Sequence, residues 1–170
     1  LPALMVCCIP SECISLIDVR RELAEGQALD LAHGLPFVNT THVQAGSQED
    51  YADAKVIVIT AGAKQTPGES RLNLTRRNAQ IVTSIMDDIA HHESKAVVIM
   101  AANPVDTLTY VALKRSGWPA NRVLGSGTVL DTARFRHMLS VHCGVDAKNV
   151  HAYILGEHGD SEVPVWSMTH

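Results

Sequence analysis

Aromatic side chains are scarce in this chain, at 4% of 170 residues. Its core must therefore be aliphatic. A charge excess of one sign is also missing: the formal net charge is −4, with acids and bases mixed along the sequence. That argues against an extended nucleic-acid footprint and leaves open only a local basic patch. No apolar run is long enough for a membrane-spanning helix. The four cysteines, Cys7, Cys8, Cys13 and Cys143, form no Cys-x-x-Cys pair. This fits a reduced, cytoplasmic setting in which they serve as small buried hydrophobes. The nine histidines show no ligand spacing; His137 and His142, for example, lie five apart on a helical stretch. No metal site is expected. The first nine residues, Leu1 to Ile9, are apolar but carry no basic flank. They read as the end of a core helix rather than a signal peptide. Internal repeats, low-complexity tracts and linkers are lacking too.

What is present is an alternation of short β-branched runs with longer helical patterns. Strands are expected at Ile14–Val19, Thr41–Ala45, Lys55–Thr60, Ala96–Ala101, Arg122–Leu124 and Val150–Leu155. Helices are expected at Arg20–His33 with Gly34 as stop, and at Arg71–His92. Two more follow, one opened by Pro104 and closed by Gly117, the other at Thr128–Cys143. Near-continuous apolar strands alternating with helices predict an α/β fold with a doubly wound parallel sheet covered on both faces. Gly125-Ser-Gly127 is the expected seam. It separates a dinucleotide-binding domain over residues 1–124 from the start of a second α/β domain over residues 125–170.

In such folds the second strand often ends in an acid for the adenosine ribose hydroxyls. Asp18 stands there, although an acid facing the start of a helix is an equally good reading. The Gly-x-Gly-x-x-Gly phosphate loop and the strand before it are not in the sequence. In the common 3-2-1-4-5-6 order that strand is central. Without it the strands at Ile14 and Lys55 lack a neighbour, at about 1–3 kcal/mol per unpaired buried group. Native stability is only about 5–15 kcal/mol. The expectation is a fragment of a longer protein, whose activity in isolation is doubtful.

The residues that carry chemistry lie late in the chain. Ile154-Leu-Gly-Glu-His-Gly-Asp160 places one histidine between small neighbours at the end of an apolar run. His158 is thus a candidate acid–base group at neutral pH. Leu130-Asp-Thr-Ala-Arg-Phe-Arg136 offers a carboxylate, Asp131, to orient it and a guanidinium, Arg134, to hold an anion. Arg71 adds a second guanidinium after a Pro/Gly loop. These parts suit redox chemistry on a 2-oxo acid. Each residue also has a plain reading: Asp131 and Arg134 as a helix-surface ion pair, His158 as a loop histidine bonded to backbone, and Arg71 as a solvated helix start.

Four segments together resemble the L-lactate dehydrogenase family, within the lactate/malate dehydrogenase superfamily. They are Thr60-Ala-Gly-Ala-Lys-Gln-Thr-Pro-Gly-Glu-Ser-Arg71, Asn103-Pro-Val-Asp-Thr-Leu-Thr109, Gly125-Ser-Gly-Thr-Val-Leu-Asp-Thr-Ala-Arg-Phe-Arg136 and Gly156-Glu-His-Gly-Asp-Ser-Glu-Val-Pro164. The resemblance implies NAD as cofactor and reversible reduction of pyruvate to L-lactate. It implies that His158 donates the proton, Asp131 orients it, Arg134 clamps the substrate carboxylate and Arg71 polarises the carbonyl from a mobile loop. Asn103 would touch both substrate and nicotinamide. Asp18, Gly62, Ala63, Ser84, Ala101 and Ser126 would line the cofactor. Gln65 would face the substrate's variable group. Arginine there suits a second carboxylate, so glutamine and the Gly68-Glu-Ser-Arg71 loop point to pyruvate over oxaloacetate. Arg136 and His151 match positions that hold fructose 1,6-bisphosphate between subunits, which implies a homotetramer. Two other classes stay open: a malate dehydrogenase of the lactate-like type, and a fold kept as an inert binding or scaffold module.

Overall fold

A computed structural model gives the fold and describes residues 13–37 and 41–170. The reading of Leu1 to Ile9 as a helix end lies outside the described residues. The chain forms two compact units. One comprises the described residues up to Ala54 together with Asp88–Lys95; the other comprises Lys55–Asp87 and Ala96–His170.

In the first unit, β1 (Cys13–Leu16) pairs in parallel with β2 (His42–Ala45), in the register Cys13 to His42. The crossover helix α1 (Arg21–Gly34) buries Ala24 and Ala28, one turn apart. α1 ends at Gly34, as expected. The chain runs on through Leu35, whose N–H bonds back to Ala32, into a 3-10 turn at Leu35–Phe37.

The second unit holds a three-stranded parallel sheet, β3 (Val56–Ile59), β4 (Val97–Met100) and β5 (Val123–Gly125), in that order. Helix α2 (Arg71–His91) links the first two strands, and α3 (Val105–Ser116) the last two. Asn78, Val82, Met86 and Ile89 are buried on α2, at the i, i+4 and i+3 spacing of one helix face. On α3 the buried series is Val105, Leu108 and Ala112. Pro104 stands at the N-cap of α3, where a missing N–H costs nothing. Gly117 ends α3 in the left-handed region, and its N–H bonds to the Leu113 carbonyl. Both ends agree with the sequence reading.

The parallel strands are as expected, but burial is one-sided on β3. Ile57 and Ile59 are buried, whereas Val56 and Val58 are 53% and 52% exposed. β3 pairs only with β4, and β1 only with β2, so among the described residues the other edge of each strand has no partner.

Beyond β5, α4 (Val129–Cys143) leads to a short antiparallel pair, β6 (Ile154–Leu155) and β7 (Val163–Pro164). The expected strand over Val150–Leu155 shrinks to its last two residues. Val150 closes a 3-10 turn, and His151 pairs its backbone with His170 in both directions. Val129, Leu130, Met138 and Val141 on α4 are exposed, and the helix buries only Asp131 and Ser140. Cys13 and Cys143 are free and exposed, not the buried hydrophobes expected, since each sits at the solvent side of its element.

Candidate active site

All the residues proposed for acid–base chemistry and substrate binding lie in the second unit, at and beyond the carboxyl edge of its sheet. β3 runs into the loop of residues 60–70. Its tip, Thr66-Pro-Gly-Glu69, is a β-turn: Glu69 N–H donates to the Thr66 carbonyl at 3.0 Å. Pro67 suits the first central position, and Gly68 takes the positive φ of 80° that the second requires. Glu69 folds back over the turn. Its carboxylate accepts from the Thr66 N–H and hydroxyl, and from Arg77 at 2.7 and 2.9 Å. Its carboxyl is held below the usual carboxylate range, first by the Thr66 N–H and then by Arg77. Gln65 donates to the Glu69 carbonyl at 2.7 Å, so it is tied to the same turn. Ser70 caps α2 through the Asn73 N–H, which leaves Arg71 exposed at the first helical position. A cation is unfavourable at that end of a helix dipole by about 0.3–1 kcal/mol.

The neighbouring loop is fixed from α2. Asn78 is 2% exposed. Its amide oxygen accepts from the Ala63 N–H at 2.8 Å, and its amide nitrogen donates to the Asn103 carbonyl at 3.1 Å. One buried side chain therefore joins the loop after β3 to the loop after β4. The Asn103–Pro104 peptide is cis. At the end of β5, a Cβ on Gly125 would lie 2.7 Å from the Thr109 hydroxyl, so α3 and β5 pack at a distance that needs glycine.

The histidine loop is held by α4. Thr128 and Thr132, one turn apart, satisfy the backbone of Ile154: both hydroxyls face its carbonyl, and Thr132 accepts its N–H at 2.9 Å. From β6 the chain enters Gly156-Glu-His-Gly159. Gly156 and Gly159 have φ of 107° and 143°, conformations closed to other residues in practice. His158 Nδ1 lies 2.5 Å from an Asp131 carboxylate oxygen. Arg134 donates to the other oxygen at 3.2 Å. Asp131 is 6% exposed, and a carboxylate so buried needs partners of this kind. Its carboxyl is held below the ordinary range by the hydrogen bond from His158, then by the charges of His158 and Arg134. An ionised carboxylate only accepts, so Nδ1 carries a proton. Nε2 is then the atom that gives or takes the second one. The imidazole is 30% exposed and the Arg134 side chain 63%, which leaves both within reach of a ligand.

Because its folded pKa is depressed, Asp131 contributes stability that is present above its unfolded value, about 3.9, and lost as pH falls through the folded one. Asp131→Asn is expected to flatten the fall in melting temperature below about pH 4. Thermal melts across that range check it, and equal slopes in both proteins would contradict the assignment.

Three residues were missed in the sequence. Asp106 accepts the His158 main-chain N–H at 2.9 Å. Asn78 interrupts an otherwise apolar helix face, which is a signal the sequence carries. Glu162 brings a carboxylate oxygen to within 4.8 Å of ligand atoms on His158 and Asp131. Such a group suits a divalent cation in composition, but Arg134 against Asp131 opposes one electrostatically. Of the expected residues, His158, Asp131 and Arg134 come into direct contact. Among the described residues neither Gln65 nor Arg71 hydrogen-bonds to them. Arg136 donates to the Ala152 carbonyl and sits 5.0 Å over the Tyr153 ring, while His151 stacks on His170. In the first unit, Asp18 accepts from the Arg20 N–H at the start of α1. Ser84 lies on an exposed stretch of α2 beside Gln80 and Asp87.

Residues 4–125 match the lactate/malate dehydrogenase NAD binding domain, and residues 128–170 match the α/β C-terminal domain of the same family. The chain belongs to the lactate/malate dehydrogenase family. Within it, the L-lactate dehydrogenase of Treponema denticola is 58% identical over 92% of this chain and 50% of its own length. That of Moorella thermoacetica is 56% identical over 90% and 48%. Among solved structures, the minor L-lactate dehydrogenase of Enterococcus mundtii in its ligand-bound form superposes with a TM-score of 0.90 at 45% identity, covering 94% of this chain and 51% of that one. A lactate dehydrogenase from a deep-sea metagenome library gives 0.89 at 47%, with coverage of 94% and 51%. The chain spans about half the length of the curated relatives it matches. The two family matches are separated by residues 126 and 127.

Proposed function

We propose that the full-length protein carrying this chain is an L-lactate dehydrogenase, reducing pyruvate reversibly to L-lactate in cytoplasmic fermentative metabolism. The observation that carries this reading is the buried Asp131 carboxylate shared by His158 Nδ1 and the Arg134 guanidinium. Asp131 and Arg134 lie three residues apart on α4, so this carboxylate couples the acid–base group on the facing loop to an anion clamp on the helix.

NAD fits the carboxyl edge of the sheet. Loops leaving parallel strands at that edge form the dinucleotide crevice of doubly wound folds. Here they present small groups: Gly62 and Ala63 after β3, Ala101 and Asn103 after β4, and Ser126 after β5. Asp18, at the end of the first unit's strand, is assigned to the ribose hydroxyls and Ser84 to the cofactor's outer side. The bound cofactor supplies or accepts the hydride at the substrate's carbonyl carbon.

Protein groups do the rest. The Arg134 fork holds the substrate carboxylate by two parallel hydrogen bonds. Protonated His158 gives its Nε2 proton to the carbonyl oxygen as that oxygen gains charge, and the reverse reaction returns it. Asp131 favours the imidazolium and fixes the ring. Arg71, on the loop side, stabilises the developing negative oxygen. Its place at the unfavourable end of a helix dipole supports a role outside the helix. The Asn103 side chain contacts substrate and nicotinamide.

Gln65 sets substrate choice, because a neutral amide leaves a second carboxylate uncompensated. Gln65→Arg is expected to shift the ratio of kcat/KM values toward oxaloacetate by at least tenfold in the full-length protein. Steady-state rates on both acids measure it; an unchanged ratio removes Gln65 from the specificity assignment. Arg136 and His151 are assigned to fructose 1,6-bisphosphate in a homotetramer, where basic groups from two subunits on one ligand couple binding to assembly.

A further inference from the structure

We infer that Asp106 is the positioning residue of the acid–base histidine, fixing the His158 backbone while Asp131 fixes its ring. The inference rests on the role proposed for His158. The loop that carries the histidine is poorly determined by its own chain. Gly156 and Gly159 bracket it at φ of 107° and 143°, and glycine backbone is the most permissive there is. Its internal hydrogen bonds, Glu162 N–H to the Gly159 carbonyl and Ser161 to Glu157, lie beyond or beside the histidine. The bond from the His158 N–H comes from outside the loop: the acceptor is Asp106, 52 residues away in the first turn of α3, at 2.9 Å. A carboxylate acceptor makes that bond charge-assisted.

The segment ending in Asp106 is itself held. Three residues earlier, the Asn103 carbonyl accepts from buried Asn78, which also accepts from the Ala63 N–H. The run Asn103-Pro-Val-Asp106 is thus a strut. One end is tied to the loops assigned to cofactor and substrate, the other to the proton donor. Pro104 and buried Val105 stiffen it between those ends. Proton transfer needs donor and acceptor within about 2.6–3.2 Å. A misplacement of about 1 Å costs on the order of 10²-fold.

A plain helix role for Asp106 is the competing account, since an acid in the first turn suits the dipole of α3. That role changes melting temperature and leaves the chemical step alone. The two accounts separate in the full-length protein with Asp106→Leu and Asp106→Asn. Asparagine keeps an oxygen acceptor; leucine keeps the size and loses it. Pyruvate reduction is followed with NADH and with its 4-deuterated form. Ring resonances of His158 are followed in ¹⁵N-histidine-labelled protein. Asp106→Leu is expected to lower kcat about 10- to 100-fold, to raise the deuterium isotope effect on kcat and to shift the His158 resonances. Asp106→Asn is expected to stay within about threefold of the parent. If Asp106→Leu fails to fold, Asp106→Ala reads the same loss. An unchanged isotope effect and unchanged His158 resonances in the leucine or alanine variant would overturn the inference. So would an asparagine variant as impaired as the leucine one. If the parent does not reduce pyruvate, the proposed activity fails, while the resonances still report whether Asp106 places His158.

Discussion

His158→Asn is expected to lower kcat for pyruvate reduction by about 10²–10⁴-fold, the range that a positioned proton donor contributes. Asparagine preserves size and polarity but has no ionisable nitrogen. The structure makes the loss specific. Asp131 is buried, ionised and bonded to Nδ1, so the histidine is held with Nε2 as its working atom. Asparagine can satisfy Asp131 but has nothing to deliver. Cofactor affinity is expected to remain, because the residues assigned to NAD lie on other loops. Stopped-flow single turnovers, with NADH affinity measured separately by fluorescence, distinguish the two. Loss of NADH binding together with activity would mean that His158 serves folding rather than proton transfer.

Arg134→Gln is expected to lower kcat/KM for pyruvate by roughly 30- to 4000-fold, corresponding to the about 2–5 kcal/mol lost when one partner of a hydrogen-bonded charge pair is removed. Arg134→Lys should recover only part of this, since an ammonium restores the charge without the planar fork. Arg134 makes one bond to Asp131 at 3.2 Å and its side chain is 63% exposed. In the variant the buried Asp131 carboxylate keeps its bond to His158, and a glutamine amide can still donate to it. The variant should therefore melt near the parent temperature while losing substrate affinity. A drop in melting temperature with KM intact would reverse the assignment and make Arg134 a structural partner of Asp131.

Much of this was legible in the sequence because the signals were local. Pro104 and Gly117 bound α3 by backbone chemistry alone. The apolar runs at Lys55 and Ala96 become parallel strands. Asp131 and Arg134 lie three apart on a helix, and the fold brings His158 to them. Other features depended on tertiary context. Val150–Leu155 reads as a strand from its side chains, yet only Ile154–Leu155 finds a partner, at Val163–Pro164. Cys13 and Cys143 read as buried by residue type, but position on the element decided otherwise, while Cys7 and Cys8 lie outside the described residues. Asp106 looked like an ordinary first-turn acid, because a bond to a main-chain N–H 52 residues away leaves no local trace. Asn78 was the exception: one amide in the buried series with Val82, Met86 and Ile89 marks a site where buried polarity must be matched.

The proposed role of His158 as proton donor in pyruvate reduction is open to direct test. The most direct measurement is NADH oxidation by the full-length protein, with pyruvate and oxaloacetate compared side by side. Pyruvate is expected to have the higher kcat/KM, with L-lactate as the product. A higher kcat/KM for oxaloacetate, or no NADH oxidation with either acid, would contradict it.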